Sequence, residues 1–171
     1  TNAAHNLANF QVIVDKEASE AERFIQLLQS VLVMGRAHVA DKFGSMPDHY
    51  LALGWKMIGT GEHQRAERQE SKIGWVFDDC IHLDPKAAVS VIESLSSSNG
   101  NYLGSTERSL AKALREANML AKCDADRNLT KTSVEGRRKY LLCLRLDLVI
   151  EQDGPPPKSP ILDCSGDDIP F

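Results

Sequence analysis

The chain has 171 residues, 42% of them hydrophobic and 26% charged, with a formal net charge of −4, so it can bury one ordinary core or two small ones. No apolar run approaches the length that spans a bilayer, and Thr1-Asn2-Ala3-Ala4-His5 is not the basic start of a secretory leader. Cys80, Cys123, Cys143 and Cys164 are widely spaced, with no Cys-x-x-Cys and no His pair at ligand spacing, so they read as reduced thiols of a cytoplasmic protein, three of them small core or strand residues.

A first residue of Thr in place of Met fits a processed or excised chain. Apolar periodicity predicts a helix over Glu17 to Met34, with Ser19 as N-cap, Glu22 completing a capping box, and Phe24, Leu27, Leu28, Val31 and Leu32 on one face. Gly35 closes it, Arg36 to Ala40 is strand-like, and Pro47 to Leu53 has the composition of a short helix before Gly54 to Ile58. Glu62 to Lys72 is charged with few apolar residues, and the stretch 59–72 is expected to be a mobile loop.

From Ile73 the texture changes. Ile73 to Phe77 and Cys80 to Leu83 are apolar runs around Asp78-Asp79, a hairpin pattern. Asp84-Pro85 starts a helix as N-cap and first residue, carried by Val89, Val91, Ile92 and Leu95 and ended by Ser96 to Asn101. A second helix begins at Ser105 or Thr106. It places Leu110, Leu114 and Ala117 inside, and Arg108, Lys112 and Arg115 outside at offsets of four, three and seven. Strand-like segments follow at Ala121 to Cys123, Leu129 to Val134 and Lys139 to Val149, the last two joined at the tight-turn dipeptide Glu135-Gly136.

Strand pair, helix, helix and basic hairpin in that order predict an α+β fold whose main domain, residues 73–150, is a winged helix-turn-helix, with a helical and strand extension over 1–72. Charge agrees with the division. Gly104 to Asp147 holds ten Lys or Arg against six Asp or Glu, a local net of +4, which leaves −8 for the rest of the chain. Arg108, Lys112 and Arg115 would then meet the groove, while Arg127, Lys131, Arg137, Arg138 and Lys139 meet phosphates from the wing. A plainer reading of the same helix face is simple solvation, and a winged helix that binds only protein is a further alternative, since six acidic residues sit among the ten basic ones. Tyr140 is the only aromatic in the basic segment, which favours duplex over single-stranded DNA. Trp55 and Trp75 are candidates for stacking, although Trp75 reads better as core.

Ile73-Gly74-Trp75, Leu83-Asp84-Pro85, Leu110 to Leu114, Leu120-Ala121-Lys122 and Gly136-Arg137-Arg138-Lys139, together with Arg23-Phe24 and Gly35 to Asp41, carry a family resemblance. This pattern resembles a C-terminal module in large replication proteins of phages, plasmids and integrative elements, whose primase or helicase-like ATPase domains lie upstream. It departs from that pattern at Asp78-Asp79-Cys80, where glycine is more typical. The resemblance implies a noncatalytic accessory module in the bacterial cytoplasm that binds DNA, with any ATPase or primase activity elsewhere in a parent polypeptide; the competing implication is a part of the helicase or primase enzyme itself.

From Glu151 the composition shifts to Gly154-Pro155-Pro156-Pro157, then Ser159-Pro160 and an acidic end. Three consecutive prolines favour a stiff extended conformation that cannot join a sheet, so 151–171 is expected to be a disordered acidic tail with a reach of at most about 70 Å. Its last residues, Asp167-Asp168-Ile169-Pro170-Phe171, resemble the C-terminal tip of bacterial single-stranded-DNA-binding proteins, the handle by which those proteins recruit replication and repair enzymes. The resemblance implies docking onto a host replication or repair protein: a pocket for the Phe171 ring, an Arg or Lys for its carboxylate, and a basic rim for Asp167 and Asp168.

The chain contains neither a Gly-x-x-x-x-Gly-Lys-Ser/Thr loop nor a Gly-x-Gly-x-x-Gly turn, so no nucleotide cofactor is expected. The pairs Asp78-Asp79 and Asp124/Asp126 read as turn formers, not metal ligands, and His5, His38, His49, His63 and His82 lie far apart with no nucleophile motif around them. No catalytic residue and no metal is assigned.

Overall fold

The structure, a computed structural model, describes residues 20–99, 103–124 and 127–150. It is a mixed α+β fold, with three helices among the described residues, a six-stranded sheet and a separate two-stranded ribbon.

Helix α1 occupies 20–33 and buries Phe24, Leu28, Val31 and Leu32, spaced to share one face of a 3.6-residue period. Its end is closed as expected at Gly35. Arg36 N–H donates to Val31 O and Gly35 N–H to Leu32 O, both at 3.0 Å, with Gly35 at φ +69°, the paired bonds of a Schellman cap. Ser19, the expected N-cap, lies outside the described residues.

Strand β1 (Ala37–Asp41) follows at once. The segment after Pro47 forms turns instead of the expected helix. Leu53 spends its carbonyl on Val39 N–H at 2.9 Å, and Gly54 takes φ +81° with a Cβ position only 2.0 Å from Ala37 O. That close approach to β1 requires glycine and a chain reversal, which a continuing helix would prevent. Strands β2 (Trp55–Ile58) and β3 (Arg65–Arg68) then pair antiparallel, Trp55 opposite Arg68 and Ile58 opposite Arg65. Within the stretch 59–72, expected to be a mobile loop, Arg65–Arg68 instead form a strand and Ser71 begins the next. The backbone is held by a ladder and by the start of the next strand, while Glu67 and Arg68 stay exposed because only Trp55 of this ribbon is buried. Charged composition reported an exposed ribbon, not a missing one.

Strand β4 (Ser71–Phe77) turns into β5 (Cys80–Leu83) through Asp78 and Asp79, both at positive φ (52° and 55°). This is a two-residue hairpin whose handedness matches the twist of the strands, a backbone state Asp tolerates. Helix α2 (Pro85–Asn99) starts on Asp84, whose carbonyl and Oδ1 accept from Ala88 N–H (2.9 Å) and Ala87 N–H (3.3 Å). It continues a turn past the expected end: Ser97 Oγ donates to Glu93 O at 2.7 Å, a back-bond that keeps this serine compatible with the helix, and Ser96 is buried against the core side.

Helix α3 (Glu107–Glu116) leads to β6 (Leu120–Lys122), β7 (Thr130–Val134) and β8 (Arg137–Arg145). Strand β8 is the spine: its C-terminal half pairs with β5 and β6, its N-terminal half with β7. The sheet order is β1-β4-β5-β8-β6, with β1 parallel to β4 across a bulge at His38/Val39. One core joins Phe24 and Leu28 of α1 to Ile81, Leu110, Leu114 and Leu142. The two sides of the expected boundary at 72/73 therefore share a sheet and a core. Among the described residues no helix is long and apolar enough to cross a membrane. The expected tail from Glu151, with Cys164 and the terminal tip, lies outside the described residues.

Candidate nucleic-acid interface

Helix α3 is built as its sequence predicts. Thr106 is the N-cap: its Oγ1 accepts from Ser109 N–H at 3.2 Å, and Ser109 Oγ accepts from Thr106 N–H at 3.0 Å. Leu110, Ala111, Ala113 and Leu114 are buried, while Arg108, Lys112 and Arg115 are exposed. At the far end Met119 N–H reaches Leu114 O and Asn118 N–H reaches Arg115 O, both at 3.0 Å, with Asn118 at φ 55°. Asn here plays the part Gly35 plays for α1. Lys112 pairs with Glu116 at 3.5 Å, and Arg115 Nη1 donates to Asn128 Oδ1 at 3.2 Å.

The hairpin β7–β8 turns at Glu135 (φ 47°) and Gly136 (φ 75°), as the dipeptide predicts. Its register decides where each cation goes. Lys131 lies opposite Tyr140 and Ser133 opposite Arg138, so these four share one face; Thr132 opposite Lys139 and Thr130 opposite Leu141 share the other. On the first face the Arg127 guanidinium sits 5.6 Å and the Lys131 ammonium 5.9 Å from the Tyr140 ring centre, and the ring remains 46% exposed. On the second face Leu141 is buried, and the half-exposed Lys139 places its ammonium near Asp84 (3.6 Å) and the Trp75 ring (5.0 Å). The structure thus groups Arg127, Lys131, Arg138 and Tyr140, ties Arg115 to them through Asn128, and sets Lys139 apart. Arg137 is exposed at the turn itself.

That turn is anchored. Glu135 N–H donates to Lys42 O at 3.1 Å and its carboxylate pairs with Lys72, whose hydrogen bond holds the Glu135 carboxyl below the usual carboxylate range. Sequence reasoning missed Lys42, Lys72 and Asn128, because each lies far from the hairpin in sequence or carries no charge.

Both tryptophans are core residues, Trp55 with its Nε1–H donating to Val39 O at 2.8 Å and Trp75 only 3% exposed. Neither ring is available to a base. The histidines do not converge on a nucleophile. His38 is buried with Nδ1 2.6 Å from Gln69 O. His82 is buried and stacked on Phe77 at 4.0 Å, both ring nitrogens without a hydrogen-bond partner among the described residues, and burial pushes its pKa down from 6.5 to about 4. Cys80 and Cys143 are buried as expected, whereas Cys123 is exposed beyond the end of β6. Burial first, and the Cys80 thiol second, push Cys143 up to about 12, which disfavours its thiolate. No group of three or more His, Cys, Asp or Glu among the described residues is placed to hold a metal ion.

A groove of about 320 Å³ lies elsewhere, lined by Asp41, Asp48, Asp78, Asp79, His49 and Phe77 among others. Four carboxylates make it repel phosphate. Comparison of the chain with protein-family models, with curated proteins and with solved structures finds no match.

Proposed function

We propose that this chain is a noncatalytic DNA-binding and protein-recruiting module, a winged helix in which α2 and α3 form the helix-turn-helix pair and β7–β8 the wing. The observation that carries the reading is the placement of Arg127 and Lys131 over the exposed Tyr140, with Arg138 on the same face, on the solvent side of a hairpin whose other side carries the buried Leu141 and Val134. Cations collected on one face, with an aromatic between them, suit a phosphate backbone better than an acidic peptide spread over the whole surface. In this reading α3 presents Arg108, Lys112 and Arg115 to the major groove of duplex DNA, and the wing fixes its register from the backbone.

The chain serves a mobile-element replication or transfer protein in the bacterial cytoplasm, with ATPase or primase activity residing in other parts of a parent polypeptide. Asp167 to Phe171 form the recruiting end. This part of the proposal rests on sequence resemblance alone. A second reading, a winged helix that binds protein without DNA, is favoured by the exposed Val33, Met34 and Leu51. Titration of labelled duplex at two salt concentrations separates them. The DNA reading requires affinity that falls steeply with salt, the protein reading no duplex binding at all.

A further inference from the structure

The loop between β1 and the turns before β2 is held unusually firmly for a segment that buries so little. Asp41 Oδ1 accepts from Phe43 N–H and Ser45 N–H at 2.8 Å each. The Asp41 N–H donates to Ser45 O at 2.8 Å, and its carbonyl accepts from Gly44 N–H at 3.1 Å. These four bonds centre the loop on one side chain, in the manner of an Asx turn. The wing closes it from the other side: Glu135 N–H donates to Lys42 O at 3.1 Å, and a Cβ at Gly44 would lie 2.4 Å from Glu135 Oε1.

Out of this fixed loop stands Phe43, 82% exposed, more than any other large hydrophobic side chain among the described residues. A ring presented this way gains nothing from packing. What it offers is a rigid planar face whose loop entropy has already been lost on folding. Its immediate chain neighbours are Lys42, Gly44 and Ser45, and Met46, the other exposed apolar side chain of the loop, lines the acidic groove, so the ring stands in a polar frame. Arg137 and Arg138 are exposed on the hairpin whose turn touches the loop. At the loop's base the acidic groove begins with Asp41, which repels phosphates from that side and leaves the wing side open to them.

We infer that Phe43 is a base-stacking wedge: with the wing on duplex backbone, its ring takes the first unpaired nucleobase at a junction between duplex and single strand. The ring supplies the stacking face, and the exposed wing arginines Arg137 and Arg138 neutralise the phosphates flanking the displaced base. This rests on the DNA-binding reading above and adds to it a preference for junctions.

The test compares a blunt duplex with the same duplex carrying a single-stranded extension, titrated with the full chain and followed by fluorescence anisotropy. Wild type binds the junction more tightly than the blunt duplex. Phe43→Ala, a change at an exposed site that leaves the circular dichroism spectrum intact, loses affinity for the junction by about five- to a hundredfold while binding blunt duplex as before. Phe43→Trp keeps the preference, and its emission is quenched when the junction binds. Equal affinity of Phe43→Ala and wild type for the junction overturns the inference. So does a self-association in sedimentation that Phe43→Ala abolishes with junction binding unchanged, which would make the ring a protein contact. If wild type binds neither DNA, the basic hairpin reading itself has failed; if it binds both equally, only the wedge has.

Discussion

The Arg115 guanidinium donates to the Asn128 carboxamide at 3.2 Å, thirteen residues further along the chain. Through that bond the last turn of α3 is joined to the segment that enters β7, so the helix cations and the hairpin cations are held in one frame. Tyr140 extends the frame, since Arg127, next to Asn128, lies over its ring. A single amide thus connects two elements that charge counting treats as separate.

The two faces of α3 should answer differently to mutation. Leu114 is fully buried and Lys112 exposed. Leu114→Ala is expected to lower stability by about 2–5 kcal/mol through lost burial and a residual cavity, whereas Lys112→Ala stays within about 0.5 kcal/mol of wild type. Urea unfolding of both variants measures this.

Two glycines at positive φ provide a contrast between strain and collision. At Gly136 (φ +75°) nothing lies within 4 Å of an added Cβ, while at Gly54 (φ +81°) that Cβ meets Ala37 O at 2.0 Å. Gly136→Ala should therefore cost about 1–2 kcal/mol, the price of a left-handed residue. Gly54→Ala should cost about 3 kcal/mol or more, because β1 must also move. Thermal unfolding ranks them.

His82 ties stability to pH. Its folded pKa of about 4 lies below the 6.5 of a free imidazole, chiefly through burial, with the nearby Lys122 charge adding to it. The unfolded chain takes up the proton first, so the contribution is complete above pH 6.5 and is lost as pH falls from there towards 4. The loss is on the order of 3 kcal/mol. His82→Phe, which keeps a ring against Phe77, should flatten the dependence of urea midpoints on pH in that window; an unchanged slope would assign the acid sensitivity to other groups.

Much of this was legible in the sequence, for local reasons. Helices α1 and α3 announce themselves by an apolar period and by end signals, Gly35 after one and Thr106 before the other. The turns at Asp78-Asp79 and Glu135-Gly136 are legible because Asp and Gly tolerate the left-handed backbone a two-residue hairpin needs. The parallel pairing of β1 with β4 was not, since it joins strands about thirty residues apart and carries a bulge. The β2–β3 ribbon was hidden because its charged residues mimic a loop. In the candidate site the cations were visible and their sorting was not. Arg138 and Lys139 are neighbours in sequence, yet the burial of Leu141 and Val134 turns the Lys139 face inward. The loop that lifts Phe43 depends on a contact with Glu135 that no local pattern encodes.

The proposed recruiting end has its own test. A synthetic peptide ending Asp167-Asp168-Ile169-Pro170-Phe171 should compete with the tip of single-stranded-DNA-binding proteins for one pocket on a replication or repair enzyme. Removing Phe171 should abolish that competition, because the pocket must accept the ring and pair its carboxylate at the same time. Binding that survives without Phe171 would leave the tail a solubilising end.

The central claim, a phosphate-binding face on the hairpin, is tested most directly by the salt dependence of duplex binding in wild type and in the Arg127→Ala, Lys131→Ala, Arg138→Ala triple variant. In wild type, log affinity should fall linearly with log salt; in the variant the slope should shrink by about 2 to 3, since each lost phosphate contact removes about 0.9 of slope. Lys139→Ala, whose ammonium is engaged with Asp84 and Trp75, should leave the slope unchanged. A triple variant that binds duplex with the affinity and slope of wild type would contradict the account.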